Sequence, residues 1–263
     1  MFTRGLKARK EATVKRNENK LIRLLFCGAL VCAMAVRAGS AEAQQANADA
    51  GDNKITAIDI LLEPDATMLE HCKANNARLL KVYPQGFALD AAHRPHITLV
   101  QRFVRTADLG NVYAAAGKVF ASTNLKGMTL EAFKYYYTPT GTTGVAGIVM
   151  KPTPELLKLQ AEIIAAVTPF TVETGPITAF TKPHGDPALD VALIGYVSAY
   201  VPKYSGEHFN PHVSTGVAPE EYLDKMLTEP FEPFTFSPAG AAVFQLGPFG
   251  TAAKKLKEWD LKH

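Results

Sequence analysis

The spacing of apolar residues divides the chain from Ile55 onward into alternating short strands and helices. Runs rich in β-branched and aromatic residues predict strands, and apolar residues that recur every three to four positions predict helices. The predicted strands are residues 55–62, 96–103, 128–137, 145–150, 209–217, 234–236 and 241–246. The predicted helices are residues 64–80, 108–120, 154–167 and 219–227. Residues 188–200 are apolar enough to form either element.

This mixture of elements predicts an α+β protein. Helices are interspersed with strands joined by short turns, such as the one at residues 140–144, and this order favours antiparallel sheets. No linker separates the two halves of the chain. We therefore expect residues 55–263 to form one domain with two lobes, preceded by a flexible lead-in at residues 44–54.

Residues 1–43 have the three-part pattern of a secretory signal peptide. A segment rich in Lys and Arg precedes an apolar run, Leu24 to Val36, and Ala41-Glu42-Ala43 follows as a cleavage site. The apolar run is shorter than the ~20 residues of a spanning helix, although a retained membrane anchor is the alternative interpretation. We expect cleavage after Ala43 and a periplasmic or secreted protein, with no membrane contact in its mature form.

Charge and cysteine content change once this leader is set aside. Nine of the 28 Lys and Arg residues but three of the 25 Asp and Glu residues lie in residues 1–43, so the remainder has a slight excess of acidic side chains. No general basic field is left to bind long nucleic acids. Cys72 is the one cysteine after the leader, and no paired Cys and His spacing indicates a metal site.

The candidate chemistry lies in two matching segments, one in each half of the chain. Residues 95–98 read Pro-His-Ile-Thr, and residues 211–214 read Pro-His-Val-Ser. Because side chains alternate along a strand, His96 and Thr98 lie on one face while the residue between them packs into the core. His212 and Ser214 have the same arrangement.

Two such pairs match what the cleavage of a phosphate ester requires. One group must take a proton from the nucleophile, and another must give a proton to the leaving oxygen. Imidazoles can do both near neutral pH, because an unperturbed histidine has a pKa of about 6.5. Hydroxyl groups two residues further on can hold the non-bridging phosphate oxygens. The alternative interpretation is two partly buried strand histidines whose matching surroundings are coincidental.

The two His-x-Thr/Ser tetrads resemble the 2H phosphoesterase superfamily, specifically its 2′-5′ RNA ligase-like and cyclic phosphodiesterase branch. Thr215 stands where the family has an aliphatic residue, and residues 243–251 are also similar to family members. The resemblance covers residues 55–259 and implies a bilobal duplicated fold with pseudo-twofold symmetry and a central groove. It also implies that His96 and His212 are catalytic.

By the same resemblance, Thr98 and Ser214 would bind phosphate. We expect no metal or other cofactor, and we expect the protein to be a monomer. The expected activity is hydrolysis of a cyclic or diester phosphate, such as a 2′,3′-cyclic nucleotide or a 2′-5′ linkage. The substrate would be a small phosphate ester, a nucleotide or a short RNA end, and no stable nucleic-acid complex is expected. The alternatives are a nucleotide-binding protein without turnover and an RNA end-joining ligase.

Four further side chains are weaker candidates for ligand contacts. Lys203 and Tyr204 precede the second tetrad, Tyr136 lies on a predicted strand, and Arg94 flanks the first tetrad. Their types suit phosphate or base contacts, yet packing or solvent exposure explains each of them as well.

Overall fold

The computed structural model describes residues 53–260, so the predicted signal peptide and most of the predicted lead-in lie outside the described residues. The strands are β1 (Ile55–Pro64), β2 (Ile97–Arg105), β3 (Leu130–Thr140), β4 (Thr143–Met150), β5 (Thr171–Val172), β6 (His212–Pro219), β7 (Phe234–Phe236), β8 (Pro238–Leu246) and β9 (Ala252–Asp260). The helices are α1 (Ala66–Val82), α2 (Leu109–Ser122), α3 (Pro154–Val167), α4 (Ala192–Ser198), α5 (Tyr200–Tyr204) and α6 (Glu220–Leu227).

The strands form an antiparallel sheet, which confirms the predicted α+β class. Its order is β7-β3-β4-β6-β2-β1-β8-β9, and β5 pairs with β2 outside this path. The central neighbours β2 and β6 share a single register pair, Ile97 with Val213, whereas the flanking strand pairs run for seven residues or more. The sheet therefore consists of two groups of four strands joined through this one pair, which we call the seam.

One face of the sheet forms the core and carries the long helices. Ile97 and Val213 at the seam are fully buried on this face. They pack with apolar side chains of α1, α2 and α3, among them Met68, Phe120 and Ile163. Each of these helices brings several buried apolar residues at helical spacing, and burial of this kind stabilises a fold by about 25 cal/mol per Å² of apolar surface.

The residues between the buried ones point to the opposite face of the sheet. Alternation places His96, Thr98, His212 and Ser214 there, and we call this side the groove face. Helix α4 covers part of it beside β2, where Val197 packs with Ala57 and Phe103. Residues 188–200, which the pattern left undecided, are therefore helical from 192 to 198 and cover the groove face.

The two groups of strands have matching registers. In β1 and β2 the register shifts between Ile60 and Leu61, and in β4 and β6 it shifts between Ala146 and Gly147. These shifts leave Leu99 and Thr215 as the extra residues of two β-bulges at equivalent positions. A duplicated fold requires such a match, although the pseudo-twofold relation itself stays a prediction.

Most predicted elements are present with boundaries that differ by a few residues. Helix α3 and strand β7 have the predicted bounds, and β6 begins at His212 rather than at residue 209. The sequence pattern gave no indication of β5 or β9. Strand β9 is at the edge of the sheet and carries Lys254, Lys255 and Lys257, so its polarity conceals its strand character. Within residues 53–260, no helix is both long and apolar enough to cross a membrane.

Candidate active site

The seam brings the two His-hydroxyl pairs together on one face of adjacent strands. Ile97 lies opposite Val213, so in an antiparallel register His96 lies opposite Ser214 and Thr98 lies opposite His212. The two histidines are then diagonal neighbours, a relation that places Cα atoms roughly 7–8 Å apart in a regular sheet. The predicted convergence of the four side chains is therefore present, and it follows from the register of β2 with β6.

Both imidazole rings are oriented by the same backbone contact. Nδ1 of His96 lies 2.7 Å from the carbonyl oxygen of Arg94, and Nδ1 of His212 lies 2.8 Å from that of Asn210. A carbonyl oxygen can only accept a hydrogen bond, so each Nδ1 carries a proton and donates it. Nε2 is therefore the ring nitrogen of each histidine that these backbone contacts leave open to other partners.

The surroundings of the two Nε2 atoms differ. Nε2 of His96 lies 3.3 Å from Oδ2 of Asp59, a carboxylate on β1 that is fully buried. The same oxygen accepts hydrogen bonds from Thr98 Oγ1 at 2.7 Å and from Gln101 Nε2 at 3.0 Å. We call Asp59, His96, Thr98 and Gln101 the Asp59 cluster. No comparable acid contacts His212 among the described residues.

Proton affinities follow this difference. Burial by itself lowers the pKa of His96, but the hydrogen bond and charge of Asp59, with the Arg94 carbonyl and Glu63, raise that pKa above its ordinary value. Burial lowers the pKa of His212, and the nearby His96 lowers it further, against smaller opposing effects of the Asn210 carbonyl and Asp59. Folding therefore shifts the pKa values of the two histidines in opposite directions.

Each β-bulge is anchored by a buried amide from the helix beneath it. Gln160 of α3 donates to the carbonyl oxygen of Leu99 at 3.1 Å, and Asn76 of α1 donates to that of Thr215 at 2.9 Å. Asn75 also donates to Thr215 Oγ1 at 2.6 Å. This buried contact gives a structural reason for the hydroxyl residue at 215, where an aliphatic residue is usual in the resembling family.

A cavity opens beside His96 and Ser214. Its walls come from residues 87–94, from Val145, and from the loop 249–251. Phe87 and Phe249 face each other with ring centroids 6.1 Å apart. Phe249 has a φ of 59°, an unfavourable value for a non-glycine residue, and 37% of its surface is exposed. The cavity therefore offers an aromatic wall next to a histidine and a hydroxyl.

Searches with the amino-acid sequence give no relatives: no protein-family model matches, and no curated protein is similar. Solved structures with a similar chain path include TT0787 of Thermus thermophilus, which is 18% identical, with 78% of this chain and 98% of that chain covered, at a TM-score of 0.47. E. coli LigT with 3′-AMP is 13% identical, with 80% of this chain and 99% of that chain covered, at a TM-score of 0.40. Kluyveromyces marxianus Usb1 is 10% identical, with 81% of this chain and 100% of that chain covered, at a TM-score of 0.38.

The identities and TM-scores are too low to transfer any residue role to this chain. The roles assigned below therefore rest on the contacts of the His-hydroxyl pairs themselves.

The weaker candidates divide into those beside the site and those apart from it. Tyr136 lies next to His212, with ring centroids 5.0 Å apart, and its hydroxyl contacts Thr138. Arg94 lines the cavity and pairs with Glu63 at 3.1 Å. Tyr204 packs on Tyr196 with ring centroids 4.9 Å apart. Lys203 is exposed on α5, and no hydrogen bond or ion pair joins it to the site within the part of the chain that the structure describes.

Asp59 is the site residue that sequence reasoning missed. The available signal was a single acidic residue within an otherwise apolar strand, Ile55 to Leu62. A fully buried carboxylate is costly unless it is hydrogen-bonded, so such a residue indicates partners elsewhere in the fold. Across residues 53–260, no group of three or more His, Cys, Asp or Glu side chains is arranged to hold a metal ion.

Proposed function

We propose that the protein hydrolyses a cyclic or diester phosphate of nucleotide type, with His96 and His212 as its acid and base. The observation that carries this proposal is the seam. It places two histidines with identically oriented rings on one face of adjacent strands, each with a hydroxyl residue beside it. That arrangement supplies two proton-transfer groups and, at Ser214, a hydroxyl group that can bind a phosphate oxygen, whereas the Thr98 hydroxyl already donates to Asp59.

The reaction follows from these groups. The oxygen of a water molecule attacks phosphorus while the Nε2 of one histidine takes its proton. The bond from phosphorus to the leaving oxygen breaks, and that oxygen receives a proton from the Nε2 of the other histidine. One water is consumed, and the protonation states of the two rings are exchanged, so proton exchange with solvent restores them. Ser214, whose hydroxyl is half-buried beside the cavity, is placed to donate a hydrogen bond to a non-bridging oxygen.

Small phosphate esters are the appropriate first substrates. Residues 44–263 carry no excess of basic side chains, which favours a compact ligand over a long nucleic-acid tract. Structures of LigT contain 3′-AMP or phosphate, and one of Usb1 contains uridine monophosphate. Export remains part of the proposal and rests on residues 1–43 alone.

The test is turnover of a panel of 2′,3′-cyclic nucleotides and 2′-5′-linked dinucleotides by the purified protein and by His96→Ala and His212→Ala variants. Each substitution should lower kcat/KM by about 10²–10⁴-fold, the usual contribution of one proton-transfer group. His208→Ala is the matched control, because His208 is exposed and lies outside both pairs. Hydrolysis of a panel member that survives in His212→Ala would refute the proposal, as would no turnover of any member.

A further inference from the structure

The buried carboxylate of Asp59 is not explained by the structural requirements of either His-hydroxyl pair. It lies on the groove face of β1, and its Oδ2 accepts hydrogen bonds from Thr98 and Gln101 and lies 3.3 Å from Nε2 of His96. The second oxygen, Oδ1, is buried and has no hydrogen-bond partner among the described residues. Burying a carboxylate with one oxygen unpaired costs free energy. We therefore expect Asp59 to have a function that involves the side chains it contacts.

The β-bulge at Leu99 explains how Thr98 and Gln101 both reach this oxygen. Thr98 and Gln101 are three positions apart and would point to opposite faces in a regular strand. Because Leu99 is an extra residue in the register, both instead point to the groove face and donate to Asp59. The cluster therefore depends on the backbone irregularity, and Gln160 holds that irregularity in place.

Hydrogen-bond accounting separates the two histidines. Both ring nitrogens of His96 face oxygen acceptors, the Arg94 carbonyl and the Asp59 carboxylate. The carboxylate, at an ion-pair distance of 3.3 Å, favours the positively charged imidazolium over the neutral ring. For His212, the structure shows an acceptor at Nδ1 alone within residues 53–260, so the neutral ring keeps a lone pair on Nε2.

The second half of the sheet provides an internal comparison. Asp59 pairs in register with Gln101, and the equivalent register position two residues beyond the other bulge pairs Val145 with Val217. The duplicated backbone thus carries a carboxylate and an amide in one half and two valines in the other. The difference between the histidines originates on the strands next to them.

We propose that Asp59 is the positioning residue of this site, and that it makes His96 the proton donor to the leaving oxygen and His212 the proton acceptor from the nucleophile. This inference rests on the proposed function for its chemical meaning. It predicts that one carboxylate makes the proton affinities of the two histidines unequal, and this can be tested without measuring turnover.

The pKa directions support the geometry. Asp59 raises the pKa of His96 against the effect of burial, whereas burial prevails at His212 and lowers its pKa. Other titratable or charged groups also face the pair. They are Glu63 at the end of β1, Arg94 and His93 in the preceding loop, Tyr136 beside His212, and Tyr196 and Tyr200 from the covering helices.

Of these groups, Glu63 is the other carboxylate that raises the pKa of His96, and it is also paired with Arg94. Tyr196 and Tyr200 stay uncharged around neutral pH, because burial raises the pKa of each. Asp59 is therefore the group that we expect to dominate.

The experiment is an NMR titration of the histidine rings in the wild-type protein and in Asp59→Asn. In the wild type, His96 should titrate above and His212 below an ordinary histidine, which has a pKa of about 6.5. Asparagine keeps the size of the side chain and removes its charge, so the titration midpoint of His96 should fall. Glu63→Gln is the matched control, because it removes a carboxylate that has no hydrogen bond to His96, and its effect should be smaller.

Two outcomes would overturn the inference: His96 titrating below His212 in the wild type, or an unchanged His96 midpoint in folded Asp59→Asn. Should Asp59→Asn not fold, Val145→Asp tests the same cause from the other half, because Val145 is only partly buried. A carboxylate there should raise the midpoint of His212, and an unchanged midpoint overturns the inference. All of these readouts stand even if no phosphate ester is hydrolysed, so failure of the proposed activity is recognised separately.

Discussion

The two His-hydroxyl pairs have nearly the same backbone and very different neighbours. In both, a proline precedes the histidine, Nδ1 is held by the carbonyl oxygen two residues earlier, and a β-bulge follows the hydroxyl residue. Near His96 and Thr98, Asp59 of β1 pairs with Gln101 of β2, whereas near His212 and Ser214, Val145 of β4 pairs with Val217 of β6. The shared backbone orients the rings, and the adjacent strands determine how tightly each ring holds its proton.

This difference matters because, in one molecule, the acid must be protonated while the base is neutral. Two histidines in identical surroundings would compete for the same proton, and a substantial fraction of molecules would carry the wrong protonation state. An acidic residue beside one ring and apolar residues beside the other separate their proton affinities before a substrate binds. The two His-hydroxyl pairs can therefore share a backbone geometry while the electrostatic surroundings of their imidazoles differ.

The largest expected effect comes from changing the leaving group of the substrate in the two histidine variants. If His96 protonates the leaving oxygen, His96→Ala should lose about 10²–10⁴-fold on a cyclic nucleotide but far less on a nitrophenyl phosphodiester, whose leaving group needs no proton. His212→Ala should lose activity on both substrates, because the attacking water still needs a base. Steady-state kcat/KM values for the two substrates measure this.

The reverse pattern, in which the nitrophenyl ester rescues His212→Ala and not His96→Ala, would exchange the two roles. His208→Ala serves again as the control, since a change outside both pairs should leave the ratio of the two substrates as it is in the wild type.

The contrast between the pairs also shows how far sequence reasoning reaches. The tetrads, the strands that carry them and helix α3 could be predicted, because alternation and helical periodicity are local properties. The contact between Asp59 and Thr98 could not be predicted, because it depends on which residue of β1 lies beside Thr98. A bulge at Leu99 sets that register. Single buried acidic residues in apolar strands are nevertheless a usable signal, and Asp59 is such a residue.

The next effect separates the two hydroxyl groups. Thr98 donates its hydroxyl proton to Asp59, so Thr98→Val removes a donor from a buried carboxylate and should cost about 1–3 kcal/mol of unfolding free energy. Ser214 lies at the cavity, so Ser214→Ala should change stability by no more than about 0.5 kcal/mol and should weaken binding of inorganic phosphate instead. Urea unfolding and calorimetric phosphate titration measure the two quantities.

Thr98→Ser is the matched control, because it keeps the hydroxyl donor and should recover most of the lost stability. Equal stability losses in Thr98→Val and Ser214→Ala would show that the two hydroxyl groups have equivalent structural roles. The difference between the two pairs would then be confined to their imidazoles.

The smallest expected effect is the dependence of folding stability on pH, and here the two histidines should act in opposite directions. Folding raises the pKa of His96, so its contribution is fully present below the unfolded-state pKa of about 6.5 and is lost as the pH rises through the folded-state value. Folding lowers the pKa of His212, so its contribution is present above about 6.5 and is lost as the pH falls through the folded-state value.

Urea unfolding of the wild type and of each His→Ala variant between about pH 5 and pH 8 measures these contributions as differences, in which the other titrating groups largely cancel. The free-energy difference between wild type and His96→Ala should shrink with rising pH, and the difference for His212→Ala should grow. Two differences with the same sign of slope would mean that the strands beside the histidines do not separate their proton affinities. The two matching strand segments would then hold two equivalent imidazoles, and Asp59 would have to be explained by its contacts with Thr98 and Gln101 alone.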